Sequence, residues 1–273
     1  MKKERILITV KTYPTLSSTY DETVCTAGLR EDGSWIRVYP IPFRKLDDFE
    51  QYRKFDWVEI GVERNNKDPR PESHKKHSNI KIITNLDTSS NWYERNQVVL
   101  SKGDVYTSFE EIISKNKDGR QLSLATFKPS EIFDVTVEKE VNRSWDEKKL
   151  RELEAKSKQG DMFAGSAECF KVVSKLPYKF RYSFKEENGK KRELIITDWE
   201  LGALFWNSMK RHNNNETKAV EDVRKKYLEQ LVNDRNIHFF VGTTLEWDLK
   251  NAPNPFTIIG VYSPPLVLQN ALF

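Results

Sequence analysis

Residues 178–185 read Tyr-Lys-Phe-Arg-Tyr-Ser-Phe-Lys. On a strand, successive side chains point to opposite faces, so Tyr178, Phe180, Tyr182 and Phe184 share one face, while Lys179, Arg181 and Lys185 share the other. Two kinds of chemistry fit. The strand can be half-buried, with aromatics inward and solvated cations outward. Alternatively the rings are exposed platforms for single-stranded bases and the cations track phosphates. A second stretch, "GSWIRVYPIPFR" at residues 33–44, has the same grammar, with Trp35, Arg37 and Tyr39 on one face and Arg44 beyond two prolines. Pro40 and Pro42 keep that end from pairing as a central strand, so it must reach a sheet edge or leave the sheet.

Residues suited to catalysis form no comparable pattern. His74 and His77 are three apart in a lysine-rich stretch, without the further ligands that a closed four-ligand metal site needs. Cys25 and Cys169 make neither a CxxC nor a disulfide framework, and no local motif ties them to His74, His77, His212 or His238. Asp134, Glu138 and Lys139 are the nearest approach to the acidic residues and Glu-x-Lys of a metal-dependent nuclease, but at the wrong spacing. Asp68, Arg70 and Glu72 in "KDPRPES" fit either a phosphate or metal loop or plain solvated surface. Phosphate-loop, dinucleotide, zinc-protease and nucleophile-elbow patterns are missing. The expectation is a non-enzyme with no catalytic residues, no metal and no cofactor, and a nuclease with an unrecognised site stays as the alternative.

The elements that must carry these residues are α+β. Strands are expected at 6–10, 23–29, 34–40 and 55–63, making a small antiparallel sheet or barrel, with "REDG" at 30–33 as a turn. Residues 64–79 have almost no apolar content and read as a long basic loop. A strand at 80–84, helices at 92–100 and 108–115 and a strand from Ile132 to about Val141 follow. Ser144 with Glu147 makes a capping box for a charged helix at 145–158, and a domain boundary is placed there, giving units of 1–143 and 144–273. The second unit is expected to hold the 178–185 hairpin, a helix capped by Thr197 and Glu200, an amphipathic helix over 217–232 and two apolar strands, "IHFFVGTTLEW" and "PFTIIGVYSPP".

Composition agrees with a folded chain. The 273 residues are 37% hydrophobic and 32% charged, and seven Trp, ten Tyr and fifteen Phe supply a large apolar payload. Net charge is only +4, but basic residues concentrate at 64–81 and 171–192. The N-terminus lacks the apolar core of a signal peptide and no run approaches a membrane span, so a cytoplasmic protein with reduced thiols and no membrane partner is expected.

Within "CTAGLREDGSWIRVYP", the residues Cys25, Ala27, Gly28, Gly33, Trp35, Ile36, Arg37 and Pro40 resemble the signature of prokaryotic dual OB-containing proteins. Together with "WIRVYPIPFR", "KDPRPES", "DWE" and "FFVGTTLEW", the chain also resembles a widespread class of bacterial proteins. The resemblance implies two OB-like barrels with helical insertions and, by association with defence islands, nucleic-acid handling. It brings no catalytic residues. Tyr39 before Pro40 and the helical content of 197–232 depart from the pattern of a second barrel.

The expected function is therefore non-catalytic binding of DNA or RNA, as an accessory component of a bacterial defence or DNA-processing system. Trp35, Tyr39, Tyr178 and Tyr182 are the stacking candidates. Arg37, Arg44, Lys179, Arg181, Lys190 and Lys191 are the backbone contacts, with Arg70, Lys75 and Lys76 of the basic loop beside them. The alternative is an interaction subunit that docks a protein partner through the terminal "SPPLVLQNALF".

Overall fold

The computed structural model describes residues 2–17, 21–148, 150–151 and 172–266. Most of the expected helix at 145–158, Cys169 and the last seven residues lie outside them. The fold is α+β, as expected.

Five strands close a barrel. β1 (Lys2–Lys11) pairs with β3 (Asp21–Leu29), β3 with β4 (Trp35–Ile41), β4 with β6 (Ser73–Lys76), β6 with β5 (Asp56–Arg64), and β5 back with β1. Every pairing is antiparallel except β4 with β6. β2 (Thr15–Ser17) extends β3, and β7 (Lys81–Asn85) flanks β5. A closed five-stranded barrel is compatible with an OB-like fold. Its interior is the β-branched face of the alternating strands, including Ile6, Ile8, Ile36, Val38, Val58, Ile60 and Val62.

β6 corrects the reading of 64–79 as loop. Ser-His-Lys-Lys carries no apolar period, yet its backbone closes the barrel between two partners. Its pairing with β4 involves Arg37 and Val38 only, ending before Pro40, which lacks the N–H a ladder needs. The "REDG" turn ends as expected on Gly33, at φ +84°, where a Cβ would sit 2.4 Å from the Lys102 carbonyl oxygen.

The second sheet system begins well before residue 144. A four-stranded sheet runs β14 (Phe256–Tyr262), β13 (His238–Thr243), β9 (Leu124–Phe127), β8 (Val105–Tyr106), and a three-stranded one runs β10 (Glu131–Lys139), β11 (Tyr178–Lys185), β12 (Lys191–Ile195). Strand pairing thus places 105–139 with the second unit, whereas the sequence reading put the boundary at 143/144. The two sheets enclose a core with α2 (Phe109–Lys117), α3 (Trp199–Arg211) and α4 (Glu216–Arg224), in which Phe109, Phe127, Phe180, Phe184, Phe205 and Phe239 are fully buried. Among the described residues this unit is two open sheets rather than a second closed barrel.

Three local readings change. The helix expected over 217–232 is α4 followed by a π-helical turn at Lys225–Gln230. "TLEW" at 244–247 is not strand, because the Thr244 side chain accepts from Trp247 N–H and caps a short helix, α5 (Leu245–Leu249). The cap of α3 is Asp198 rather than Thr197, whose hydroxyl donates to the Ile258 carbonyl instead.

The outward face of the barrel is not free. Leu7, Val10, Ala27, Leu29 and Trp57 pack with Val98 and Val99 of α1 (Ser89–Val99) and with Leu124, Phe240, Ile259 and Tyr262 of the second unit. No helix among the described residues is long and apolar enough to cross a membrane.

Candidate nucleic-acid interface

On β4 the expected alternation holds, but the outward face meets protein. The Trp35 ring stands edge-on to Phe240 at 5.4 Å. Arg37 is 1% exposed: its Nη1 donates to Ser123 Oγ at 2.7 Å and Ser73 Oγ at 3.3 Å, and its Nη2 to the Ser123 carbonyl at 3.2 Å. Burial lowers its pKa from the ordinary guanidinium value. Tyr39 is half-buried beside them. In the "KDPRPES" loop Arg70 brackets Asp68 with Nε at 2.9 Å and Nη2 at 2.6 Å, and its Nη1 reaches the Thr243 carbonyl at 2.7 Å. The loop is a clasp between barrel and second unit. Arg44 pairs with Glu22 at 2.9 Å and Lys76 with Glu50 at 2.9 Å, while Lys75 is half-buried opposite Glu63 in the ladder.

β11 keeps its two faces as well. Phe180, Tyr182 and Phe184 lie in the core, and the Tyr182 hydroxyl donates to the Tyr227 carbonyl at 2.6 Å. A ring with no exposure is closed to base stacking, so Tyr182 is a core residue. Tyr178 is half-buried against Phe205 and donates to Glu216 at 2.7 Å. On the outer face Lys179 pairs with Glu140 at 3.5 Å, Arg181 with Glu138 at 2.7 Å, Lys185 with Glu131 and Lys190 with Glu110. Lys191 lies over the Phe133 ring at 5.0 Å. Cations and carboxylates interleave there, so the surface carries little net field.

Arg53, Arg95 and Lys226, which have no carboxylate partner among the described residues, gather around the paired Lys54 in a cleft of about 510 Å³ where the start of β5, α1, the first turn of α3 and the π-helical turn meet. Arg53, Lys54, Phe55, Trp92, Arg95, Asp198, Glu200, Lys226 and Tyr227 line it. A shallower hollow of about 430 Å³ shares Arg53, Lys54 and Glu200 and adds Lys11 and Trp199. The Arg95 guanidinium stands 4.0 Å over the Phe55 ring and 5.1 Å from Trp92, with Nε donating to the Leu86 carbonyl at 2.7 Å. Phe55 and Trp92 both have left-handed backbones, φ 66° and 64°, a conformation uncommon for bulky residues and held here by their surroundings. Lys11 lies 4.2 Å over Phe43 and 5.2 Å from the Trp199 ring. Burial first, then the nearby Lys54 charge, lowers its pKa to about 8.

Lys54 is the anchored member. Its Nζ lies 3.0 Å from both Asp198 carboxylate oxygens and from Glu200. Burial works against its charge, but the two carboxylates outweigh burial and raise its pKa. Burial also pushes Asp198 up to about 6. Arg53 and Lys226 are exposed, and no carboxylate pairs with either among the described residues. Sequence reasoning passed over all of these cations. The readable signal was Trp92 with Arg95, three apart in a stretch expected to be helical and so neighbours on one face.

The family comparison divides the chain where its sheets divide. Residues 2–101, the barrel and α1, match the Domain of unknown function (DUF8758). No curated protein matches the chain. Residues 105–273, which hold both open sheets and their helical core, match a second model, and the chain belongs to that family, the Domain of unknown function (DUF8757).

Proposed function

We propose that the chain is a non-catalytic nucleic-acid-binding protein and that the cleft between barrel and second unit is its contact surface. One observation carries the reading: the joined hollows are lined by the cations Lys11, Arg53, Lys54, Arg95 and Lys226 against the carboxylates Asp198 and Glu200, with Phe55, Trp92 and Trp199 among them. Cations with no acidic partner are the groups able to release counterions from phosphates, and adjoining rings offer stacking worth about 1–3 kcal/mol per base. The paired cations of β11 would first have to break their ion pairs. The finer assignment, an accessory component of bacterial defence or DNA processing in the cytoplasm, rests on the sequence resemblance.

Fluorescence anisotropy with labelled single-stranded DNA, duplex DNA and RNA tests this. Three phosphate contacts to a single strand would weaken affinity roughly 20-fold between 50 and 200 mM salt. Arg53→Ala with Lys226→Ala should weaken binding strongly, and Lys179→Ala with Arg181→Ala should leave it nearly unchanged. The reverse ranking would move the interface to β11, and no binding to any of the three would overturn the reading.

A further inference from the structure

The cleft continues past its two hollows. A third hollow of about 320 Å³ follows them, and α3 lines all three. Glu200 and Leu204 are shared by the first and second, and Trp199, Ala203 and Asn207 by the second and third, which adds Trp206 and Lys210. At the helical repeat these positions share one side of α3, opposite Leu201, Phe205 and Met209 of the core. One combination recurs: each hollow has an aromatic ring and a cation that pairs with no carboxylate among the described residues. The first has Trp92 with Arg95 and Lys226, the second Trp199 with Lys11, and the third Trp206 with Lys210. All three tryptophans are half-buried. Trp206 is fixed by its indole N–H, which donates to the Tyr13 hydroxyl at 2.8 Å. The carboxylates that line the hollows, Asp198 and Glu200, are held by Lys54.

Cations alone do not tell a single strand from a duplex, but rings and shape do. A duplex covers the faces of its bases with their stacked neighbours and offers only phosphates and groove edges, on a convex rod. The hollows are concave, and their volumes of about 510, 430 and 320 Å³ each fall within the roughly 300–1,000 Å³ of small-molecule sites. Such spaces admit nucleotides singly and shut out a paired helix. An alternation of rings and cations along one groove is also how single strands are held without regard to sequence. We infer that the three hollows form one track for a single-stranded nucleic acid, with its phosphates on the unpaired cations and its bases against Trp92, Trp199 and Trp206. The track rests on the nucleic-acid reading of the cleft and narrows it, because a duplex does not enter.

Anisotropy of the whole chain with four labelled probes of equal length tests it: an oligothymidylate, an oligouridylate, the thymidylate–adenylate duplex and a wholly abasic strand. The thymidylate or the uridylate should bind at least about tenfold more tightly than the duplex and the abasic strand, although the duplex carries twice the phosphates. The tighter of the two single strands tells DNA from RNA. Trp206→Leu, in the third hollow, should weaken single-strand binding about five- to 150-fold, and Trp206→Phe, which keeps a ring, should lose less. Both variants lose the bond to Tyr13, so a merely structural effect would not rank them. Lys210 is exposed, and Lys210→Ala should fold as the wild type does and lower the salt slope by about 0.7, the share of one phosphate. Duplex or abasic binding as tight as that of the single strand, or an unaffected Trp206→Leu or Lys210→Ala protein, would overturn the inference. Duplex binding that Arg53→Ala with Lys226→Ala still weakens would keep the cleft and sink the track. No binding of any probe would sink both.

Discussion

Arg37 Nη1 lies 2.7 Å from the Ser123 hydroxyl, and that hydroxyl donates onward to Glu72. A buried guanidinium on the barrel and a carboxylate on the β5–β6 loop are thus joined through one serine of the second unit. Ser123→Ala would leave both under-satisfied. At about 1–3 kcal/mol for each buried group deprived of its partner, a loss of about 2–4 kcal/mol is expected in urea unfolding monitored by tryptophan fluorescence.

Lys54 is 8% exposed at its side chain and holds Asp198, which is 1% exposed. Removing one member of such a pair strands the other charge, so Lys54→Met should cost about 3–5 kcal/mol. Lys54→Met combined with Asp198→Asn should cost less than the single change, because no buried charge is left uncompensated. A double-mutant cycle by chemical denaturation reads the difference, and additive losses would count against the coupling.

Lys11, with its pKa lowered to about 8, is largely charged at pH 7 and largely neutral at pH 9. If the cleft binds phosphates, affinity should fall over that range as the Lys11 proton is lost. Lys11→Arg keeps its charge at both values and should flatten the profile. Anisotropy at fixed ionic strength across pH 7–9 measures it.

His238 is 3% exposed, and its Nδ1–H donates to the Asn236 carbonyl at 2.8 Å. Burial lowers its pKa from 6.5 to about 4. Between those values the unfolded chain takes up a proton that the folded chain does not, so this histidine makes stability fall as the pH drops through that window, by at most about 3 kcal/mol. Asp198, with a raised pKa, acts in the opposite sense between about pH 4 and 6. The comparison of wild type with His238→Gln in Tm against pH isolates the histidine, and the variant should show the smaller acid loss.

Trp35 meets Phe240 across the seam. Trp35→Ala empties part of the interface between barrel and second unit and should cost about 3–5 kcal/mol. Phe240→Leu in the same background should cost less than it does alone, since the ring contact is already gone. Agreement of the two Phe240→Leu losses within a few tenths of a kcal/mol would contradict the pairing.

The alternation of Trp35, Arg37 and Tyr39 against Ile36 and Val38, and of Tyr178, Phe180, Tyr182 and Phe184 against Lys179, Arg181 and Lys185, was legible from one dimension. A strand's side-chain period of two is a local property of its backbone. So were the α+β class, most strand positions and the "REDG" turn, which depend on residues close in sequence. What covers each face was decided only in three dimensions. The aromatic face of β11 is core because a helical layer lies on it, and the Arg37 face is buried because Ser123 and Phe240, more than eighty residues away, close over it. β6 and β9 escaped notice because short strands paired on both sides need no apolar period of their own. The cleft was invisible for the same reason: Lys11, Arg53, Arg95 and Lys226 come from four separated segments, and only packing shows which cations have found a carboxylate and which have not.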